Sequence, residues 1–113
     1  MKLQEIIDSF QLTLLTDPKD FSAIVPAGGY TSDLLSCVIA GAKTGDLWVT
    51  LQAHANIVAV AALTDVAAVI ITEDAQPDPE VIEKANQQNV TLFSTAQDSF
   101  QVCGKLFQLL GKK

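Results

Sequence analysis

The sequence predicts an α/β fold, with a small, mostly parallel sheet and helices on its faces. From Leu47 onward, apolar runs typical of strands alternate with stretches of helical spacing in the order β, α, β, α, β, α. Residues 67–71 are apolar throughout, as expected of a strand covered on both faces. Because the connections are short, such an order favours parallel strands joined by right-handed crossovers. A length of 113 residues suits one domain, 1–113.

The first third of the chain carries shorter elements. Apolar residues at helical spacing predict an amphipathic helix over residues 2–10. Short strands are predicted at 12–15 and 23–25, with a turn at 17–20 between them. Residues 28–30, Gly-Gly-Tyr, are interpreted as a glycine turn that closes this part of the chain.

The next elements begin at Thr31-Ser32-Asp33, which predict the capped N-terminus of a helix that runs to about residue 42. Residues 47–51 are large or β-branched and predict a strand. The Ala- and Leu-containing stretch at 55–64 favours a helix. Before the following strand, Asp65 interrupts a long apolar run, so we predict no membrane span.

The last elements have clear boundaries in the sequence. Asp78-Pro79-Glu80 predict a helix start, and Asn89 a left-handed end. Residues 90–93 predict a strand, and a final helix begins at about Ala96. Lys112 and Lys113 would suit the negative end of its dipole. The predicted apolar face of this helix consists of Phe100, Cys103, Phe107 and Leu110, widened by Val102 and Leu106.

The charges exclude several classes of function. There are 13 acidic and 7 basic residues, and every basic one is a lysine. A net charge of -6 argues against nucleic-acid binding, which depends on a basic surface. Without arginine, the chain has no guanidinium group to clamp a phosphate. Cys37 and Cys103 lie far apart among apolar neighbours, which predicts buried thiols in a reducing, cytoplasmic protein. No signal-peptide pattern precedes the first helix.

Polar segments follow each of the three predicted core strands, at residues 52–56, 72–76 and 94–98. Ligands of open parallel sheets bind outside the carboxyl ends of the strands, and a helix N-terminus there can bind an anion. We therefore predict a small anionic or nucleotide ligand at this edge; solvated loops and helix caps are the alternative interpretation. The candidate ligand-binding residues are Thr50, Gln52, His54, Asn56, Thr72, Ser94, Thr95 and Asp98.

No motif in the chain indicates a metal or a cofactor, and none is predicted. The cysteines have no zinc-site spacing. Residues 41–45 lack the phosphate-loop consensus and follow a helix instead of a strand. The acidic cluster of Glu73, Asp74 and Asp78 is interpreted as a solvated loop. His54, the single histidine, is a candidate ligand contact or cap; as an alternative, it acts with Ser94 or Asp98 in a small enzyme that handles phosphate groups.

The helix predicted at 55–64 is apolar on all sides and needs cover on all sides. In so small a domain, a second copy of the chain could supply part of that cover. Trp48 and the region of Val38 and Ile39 are expected to add to the same patch. We therefore predict a homodimer.

Several segments occur in a characteristic order. They are TSDLLS at 31–36, GDLWVT at 45–50, HANIVAVA at 54–61, PDPEVI at 77–82, and shorter ones at 84–85, 94–95 and 99–100. This set, across about residues 28–107, resembles small stand-alone DRTGG-domain proteins. The resemblance implies a fold like that of the N-terminal domain of HPr kinase/phosphorylase and, more distantly, of Mur ligases.

For function, the resemblance implies a non-enzymatic regulatory or ligand-sensing module. It further implies an accessory role beside hydrogenase and related redox systems of anaerobic bacteria. A protein-interaction adaptor for a redox complex is a further alternative.

The chain departs from the family's signature at two places. Where many members carry Asp-Arg-Thr, this chain has Gln52-Ala53-His54, and where others carry Thr-Gly-Gly, it has Thr72-Glu73-Asp74. Any anion contact through the family's arginine is therefore lost, and His54 lies in the loop where that arginine is expected.

Overall fold

The computed structural model describes residues 1–110, which form a five-stranded sheet between two layers of helices. The elements in chain order are α1 (Leu3–Phe10), β1 (Thr13–Leu14), a 3-10 turn (Phe21–Ala23), β2 (Gly28–Thr31), α2 (Leu35–Gly41), β3 (Asp46–Thr50), α3 (Asn56–Thr64), β4 (Ala68–Ile71), α4 (Pro79–Gln87), β5 (Leu92–Ser94) and α5 (Ser99–Leu110). The α/β class, with a mostly parallel sheet and helices on its faces, is confirmed.

The strands lie in the order β1-β5-β4-β3-β2. The four strands β2 to β5 are parallel, and β1 pairs antiparallel with β5. One edge of the sheet is therefore β2, which pairs with β3 alone among the described strands. The carboxyl ends of the four parallel strands meet at one side of the sheet.

Two apolar cores lie on opposite faces of the sheet, because successive side chains of a strand point to opposite sides. In β3, Leu47 and Val49 point into the core that α1 and α5 cover. Trp48 points into the other core, beneath α2, α3 and α4. All five residues of β3 are buried, which fits the apolar Leu47-Trp48-Val49 at its centre, while Asp46 and Thr50 are polar residues at its ends.

The stretch from residue 21 to 31 differs from the prediction. The expected strand at 23–25 is absent, and a 3-10 turn places the Phe21 ring 5.5 Å from that of Phe93. The expected glycine turn is instead the strand β2. Glycine is a poor strand former in isolation, and here pairing with β3 holds Gly28 and Gly29 in an extended conformation.

The last helix also differs from the prediction. It begins at Ser99, and its buried residues are Val102 and Leu106. Phe100 is 89% exposed and Phe107 66% exposed, so the predicted face was wrong for both. The helix carries two adjacent apolar stripes, and only one of them meets the sheet. Lys112 and Lys113 lie outside the described residues.

Other predictions about single side chains were wrong as well. Cys37 is exposed and Cys103 is half-buried. Trp48 is fully buried, where its Nε1 donates to the carbonyl of Ser32 at 3.0 Å, and Val38 is also buried. Trp48 and Val38 therefore cannot belong to an exposed patch. Among the described residues, no helix is both long and apolar enough to cross a membrane.

Candidate functional site

The site is built at the carboxyl ends of the parallel strands. Thr50 and Ser94 are the last residues of β3 and β5, and Thr72 directly follows β4. All three side chains are buried, so their hydroxyl groups need partners inside the protein. Two of these hydroxyl groups have side-chain partners on neighbouring loops.

A hydrogen-bonded clamp joins the loops that follow β2 and β3. The Asp33 carboxylate accepts from Thr50 Oγ1 at 2.8 Å and from the Leu51 amide at 2.9 Å. Gln52 Nε2 donates to the Asp33 carbonyl at 3.0 Å. The predicted capped helix start at Thr31-Ser32-Asp33 was therefore wrong, because α2 begins after Leu34 without a side-chain cap and the Asp33 carboxylate turns to β3.

A second contact joins the loop after β4 to the start of α5. The hydroxyl groups of Thr72 and Ser99 lie 2.6 Å apart. The Ser99 amide donates to Glu73 Oε2 at 3.1 Å, and the Gln101 amide donates to Asp98 Oδ1 at 2.8 Å. Two carboxylates thus already satisfy the first amides of α5, which disfavours an anionic ligand there.

The loop after β4 has a strained backbone at the place of the family's Thr-Gly-Gly. Glu73 and Asp74 both adopt the left-handed conformation, with φ of 63° and 58°. Their amides donate to the carbonyls of Gln97 and Thr95, at 2.9 and 3.0 Å. Glycine takes this conformation without steric cost, so the backbone shape fits the glycines of the signature although the side chains here are acidic.

Ser94 and Thr95 take part in local structure. Ser94 lies opposite Thr13 in the antiparallel pair of β5 and β1. The Thr95 amide donates to the carbonyl of Ile71 at 2.9 Å, and its hydroxyl accepts from the Gln97 amide at 3.2 Å. Both residues therefore support the loop at the end of β5.

The start of α3 differs from the starts of α4 and α5 at this edge. No side chain caps it, and its first turn contains no acidic residue. His54 and Asn56 are exposed beside it, and Gln52 is half-buried. In contrast, α4 begins at Asp78-Pro79 with Glu80 in its first turn. The partial positive charge of the α3 N-terminus is therefore not opposed by a carboxylate of its own first turn.

A shallow groove of about 580 Å³ extends from this helix start along α3 and α4. Apolar side chains of α3 form one wall, and the exposed side chain of Lys84 contributes a positive charge from α4. Among residues 1–110, no carboxylate lines the groove. The lining residues are Ala55, Asn56, Val58, Ala59, Ala62, Leu63, Lys84 and Gln88.

The residues of the predicted enzyme alternative follow or end different strands. His54 follows β3, Ser94 ends β5, and β4 lies between these two strands. Two strand spacings put the ends of β3 and β5 about 10 Å apart. Ser94 is buried, His54 is exposed, and Asp98 caps α5. A catalytic role for this set stays a prediction. Within the described part of the chain, no group of three or more His, Cys, Asp or Glu residues is arranged to hold a metal ion.

Three contributors to this edge escaped the sequence-based prediction: Asp33, Ser99 and Lys84. The polar Thr50 at the end of an apolar strand did signal that a buried hydroxyl group would need a partner. Its partner Asp33 lies 17 residues earlier in the chain, and only the pairing of β2 with β3 brings the two together. Lys84 had no signal beyond its position on α4.

The fold and this edge define a class, the small three-layer α/β modules with a parallel sheet and polar loops at its carboxyl ends. The family model of the DRTGG domain matches residues 34–109, and the chain belongs to that family.

A solved structure is similar to this chain over most of its length. It is the crystal structure of the CBS and DRTGG domains of the regulatory region of Clostridium perfringens pyrophosphatase, complexed with the activator diadenosine tetraphosphate. The TM-score is 0.74 at 22% identity, over 93% of this chain and 45% of that one. This chain thus spans less than half the length of that structure, and the likeness is one of fold. No curated protein sequence matches the chain.

Proposed function

We propose that this protein is a non-enzymatic regulatory module that senses a small anionic ligand, of the nucleotide class, at the start of α3. The observation that carries the proposal is that the first turn of this helix contains no acidic residue and opens on a groove lined by Lys84, while carboxylates occupy the starts of α4 and α5. Membership of the DRTGG family and a fold shared with a regulatory region support it.

The polar part of the site would hold the phosphate groups. A helix N-terminus carries about half a positive charge, and its amides point toward a bound anion. Exposed His54 and Asn56 lie beside this helix start, and both side chains can donate hydrogen bonds. Of the other predicted residues, Gln52 positions the loop through Asp33 and Thr50. Thr72, Ser94, Thr95 and Asp98 are proposed to support the edge from within.

The apolar part of the site would hold a nucleobase. The groove beside α3 is lined by Val58, Ala59 and Leu63, and Lys84 lies on its α4 side. An aromatic base can bury its faces against such side chains, while the lysine attracts a phosphate. Because the groove is shallow, we expect the phosphate contacts to supply most of the affinity.

Isothermal titration calorimetry of the full chain tests the proposal. The probes are diadenosine tetraphosphate, ATP, inorganic phosphate and adenosine. We expect binding of the two nucleotides, weaker binding of phosphate, and loss of nucleotide binding in Lys84→Ala and His54→Ala. The control is Lys105→Ala, since Lys105 lies on α5, on the opposite face of the sheet.

A thermal-shift series gives a second readout. At a ligand concentration of 100 times the dissociation constant, binding stabilises the native state by about 2.7 kcal/mol. The absence of a shift with both nucleotides would overturn the ligand part of the proposal. Equal loss of binding in the Lys105→Ala control would overturn the assignment to the α3 groove.

Further parts of the proposal rest on the resemblance and on composition. They are a single-domain chain over 1–113, a cytoplasmic location consistent with two unpaired cysteines, and a homodimeric state. The proposal also includes a likeness to the N-terminal domain of HPr kinase and an accessory role in anaerobic redox systems. If the protein is instead an adaptor, capture from an anaerobic host would recover redox enzymes irrespective of nucleotide.

A further inference from the structure

The open edge of the sheet carries an uncovered apolar surface. We define the β2 edge surface as β2 together with Leu34 and Ile39 of the segment containing α2, and with Phe107 and Leu110 of α5. Strand β2 pairs with β3 on one side, and no described strand pairs with its other side. One row of its backbone N–H and C=O groups is therefore available for another strand.

Exposed apolar side chains flank this edge on both faces of the sheet. On one face, Leu34 is 61% exposed and Ile39 is 49% exposed. On the other face, Phe107 of α5 lines a groove of about 690 Å³ together with Gly29 and Thr31 of β2. The groove is open at this point because Gly29 has no side chain to fill it.

Strand β2 is short, with four residues, and Lys43 lines the groove beside it, but the strand itself carries neither of the two residue types that usually protect such edges. Residues 28–31 contain no lysine and no proline, and no strand within residues 1–110 covers the open side of β2. The two glycines leave the backbone accessible to a second strand. The edge is therefore suited to strand addition.

The distribution of charge favours a second copy of this acidic chain as the occupant. Of the 13 acidic residues, none falls within 99–110, and Asp33 alone falls within 21–45, where its carboxylate is held by Thr50 and the Leu51 amide. Asp46, which lines the groove, is buried, and its carboxylate accepts from the Lys43 amide at 2.9 Å. Two copies with a net charge of -6 each repel one another over most of their surfaces, but at this edge Asp33 is the one exposed acidic residue of these segments.

The layered shape points to the same occupant. A partner that covers β2 and both flanking helices at once must itself present a strand between two helix layers. A two-fold axis at the edge would pair β2 with its copy in an antiparallel manner and set α2 against α2 and α5 against α5. Such isologous interfaces are the commonest arrangement in homodimers.

The exposed apolar side chains contribute part of the area that a stable dimer buries. A Phe side chain buries about 150–250 Å², so Phe107 alone, at 66% exposure, can contribute roughly 130 Å². The exposed parts of Leu34 and Ile39 and the strand edge add to this. These side chains would form the apolar centre of an interface, whose standard area is about 800 Å² per partner.

We propose that the β2 edge surface joins two copies of this chain through antiparallel pairing of β2, and so forms one continuous ten-stranded sheet. This proposal rests on the homodimer of the proposed function. It assigns the dimer interface to the β2 edge surface instead of the predicted patch around the apolar helix α3. The α3 helix remains free for the ligand.

Sedimentation velocity of the full chain at micromolar concentration tests the proposal. We expect the mass of two 12.0 kDa chains. Phe107→Glu and Ile39→Glu each place a carboxylate in the interface and should raise the dimer dissociation constant by about tenfold or more. The matched control is Leu63→Glu, because Leu63 is equally exposed, at 68%, but lies on α3. A wild-type monomer, or dissociation by Leu63→Glu alone, would overturn the proposal.

Amide hydrogen exchange tests the pairing of β2 itself and remains informative if a variant folds poorly. We expect slow exchange of the outward-facing amides within residues 28–31 in the wild-type dimer, and faster exchange on dilution. A dimer with unprotected amides there would show that another surface is used. Nucleotide binding by a monomeric Phe107→Glu variant would show that the ligand site does not depend on the dimer. The failure of one proposal can then be distinguished from the failure of the other.

Discussion

Thr50 Oγ1 donates a hydrogen bond of 2.8 Å to the Asp33 carboxylate, across the pair of strands at the open edge of the sheet. The same carboxylate oxygen accepts from the Leu51 amide at 2.9 Å. Thr50 is fully buried, so Asp33 satisfies a hydroxyl group that water cannot reach. The two hydrogen bonds connect the loop after β2 with the end of β3 and with the loop that precedes α3.

Replacing Asp33 should therefore reduce stability. We expect Asp33→Ala to lower the free energy of unfolding by about 1–3 kcal/mol, because it leaves a buried donor without a partner. Asp33→Asn, which keeps one oxygen, should cost less. Urea denaturation measures both values. Asp8→Ala is the control, since Asp8 is exposed and should change stability by less than about 0.5 kcal/mol; an equal loss there would contradict the role of the clamp.

The left-handed loop after β4 allows a test of backbone strain. We expect Asp74→Gly to be about 1 kcal/mol more stable than Asp74→Ala, because a Cβ is unfavourable at a φ of 58°. The order should reverse at Asp8 in α1, where glycine weakens a helix relative to alanine by about 1 kcal/mol. Thermal unfolding of the four variants gives the comparison. The same order at both positions would exclude strain at Asp74.

Two helical glycines should respond oppositely to alanine. A Cβ at Gly41 would lie 2.5 Å from Tyr30 Cε1, so Gly41→Ala must displace the ring and its hydrogen bond to the Cys37 carbonyl. We expect a loss of about 1–3 kcal/mol. A Cβ at Gly104 in α5 would meet nothing within 4 Å, and Gly104→Ala should gain about 0.5–1 kcal/mol. A stabilising Gly41→Ala in calorimetry would show that Tyr30 does not pack as described.

The contact of Thr72 with Ser99 predicts coupling between two loops. We expect the double-mutant cycle of Thr72→Val and Ser99→Ala to give a coupling energy of about 1 kcal/mol, because each hydroxyl group is the other's side-chain partner. Chemical denaturation of the four proteins measures it. Additive effects would mean that the 2.6 Å contact contributes nothing to stability.

The half of the fold from β3 onward follows from sequence patterns, because its strands are apolar runs and its helices have clear start signals such as Asp78-Pro79. The strand β2 does not follow from them, since Gly28 and Gly29 form a strand only through pairing with β3. The exposure of Phe107 could not be predicted either, because α5 has two apolar stripes and the sequence does not show which of them packs against the sheet.

The same limit applies to the candidate site. The order of the strands was enough to place the polar loops together at one edge. It did not identify the partners within that edge, because the contacts of Asp33 with Thr50 and of Thr72 with Ser99 join residues 17 and 27 positions apart. Nor did it show that the Glu73 carboxylate, from the loop after β4, reaches the start of α5, whereas the first turn of α3 contains no acidic residue.

The Asp33 clamp has a thermodynamic consequence for the two proposals together. Asp33 closely follows the strand proposed to pair with a second copy, and its carboxylate holds the loop that leads to the proposed ligand site. If ordering this loop favours both dimer formation and ligand binding, the two equilibria are linked. A ligand that lowers the dimer dissociation constant by some factor then binds the dimer more tightly than the monomer by the same factor. Nucleotide affinity would then report the assembly state of the protein.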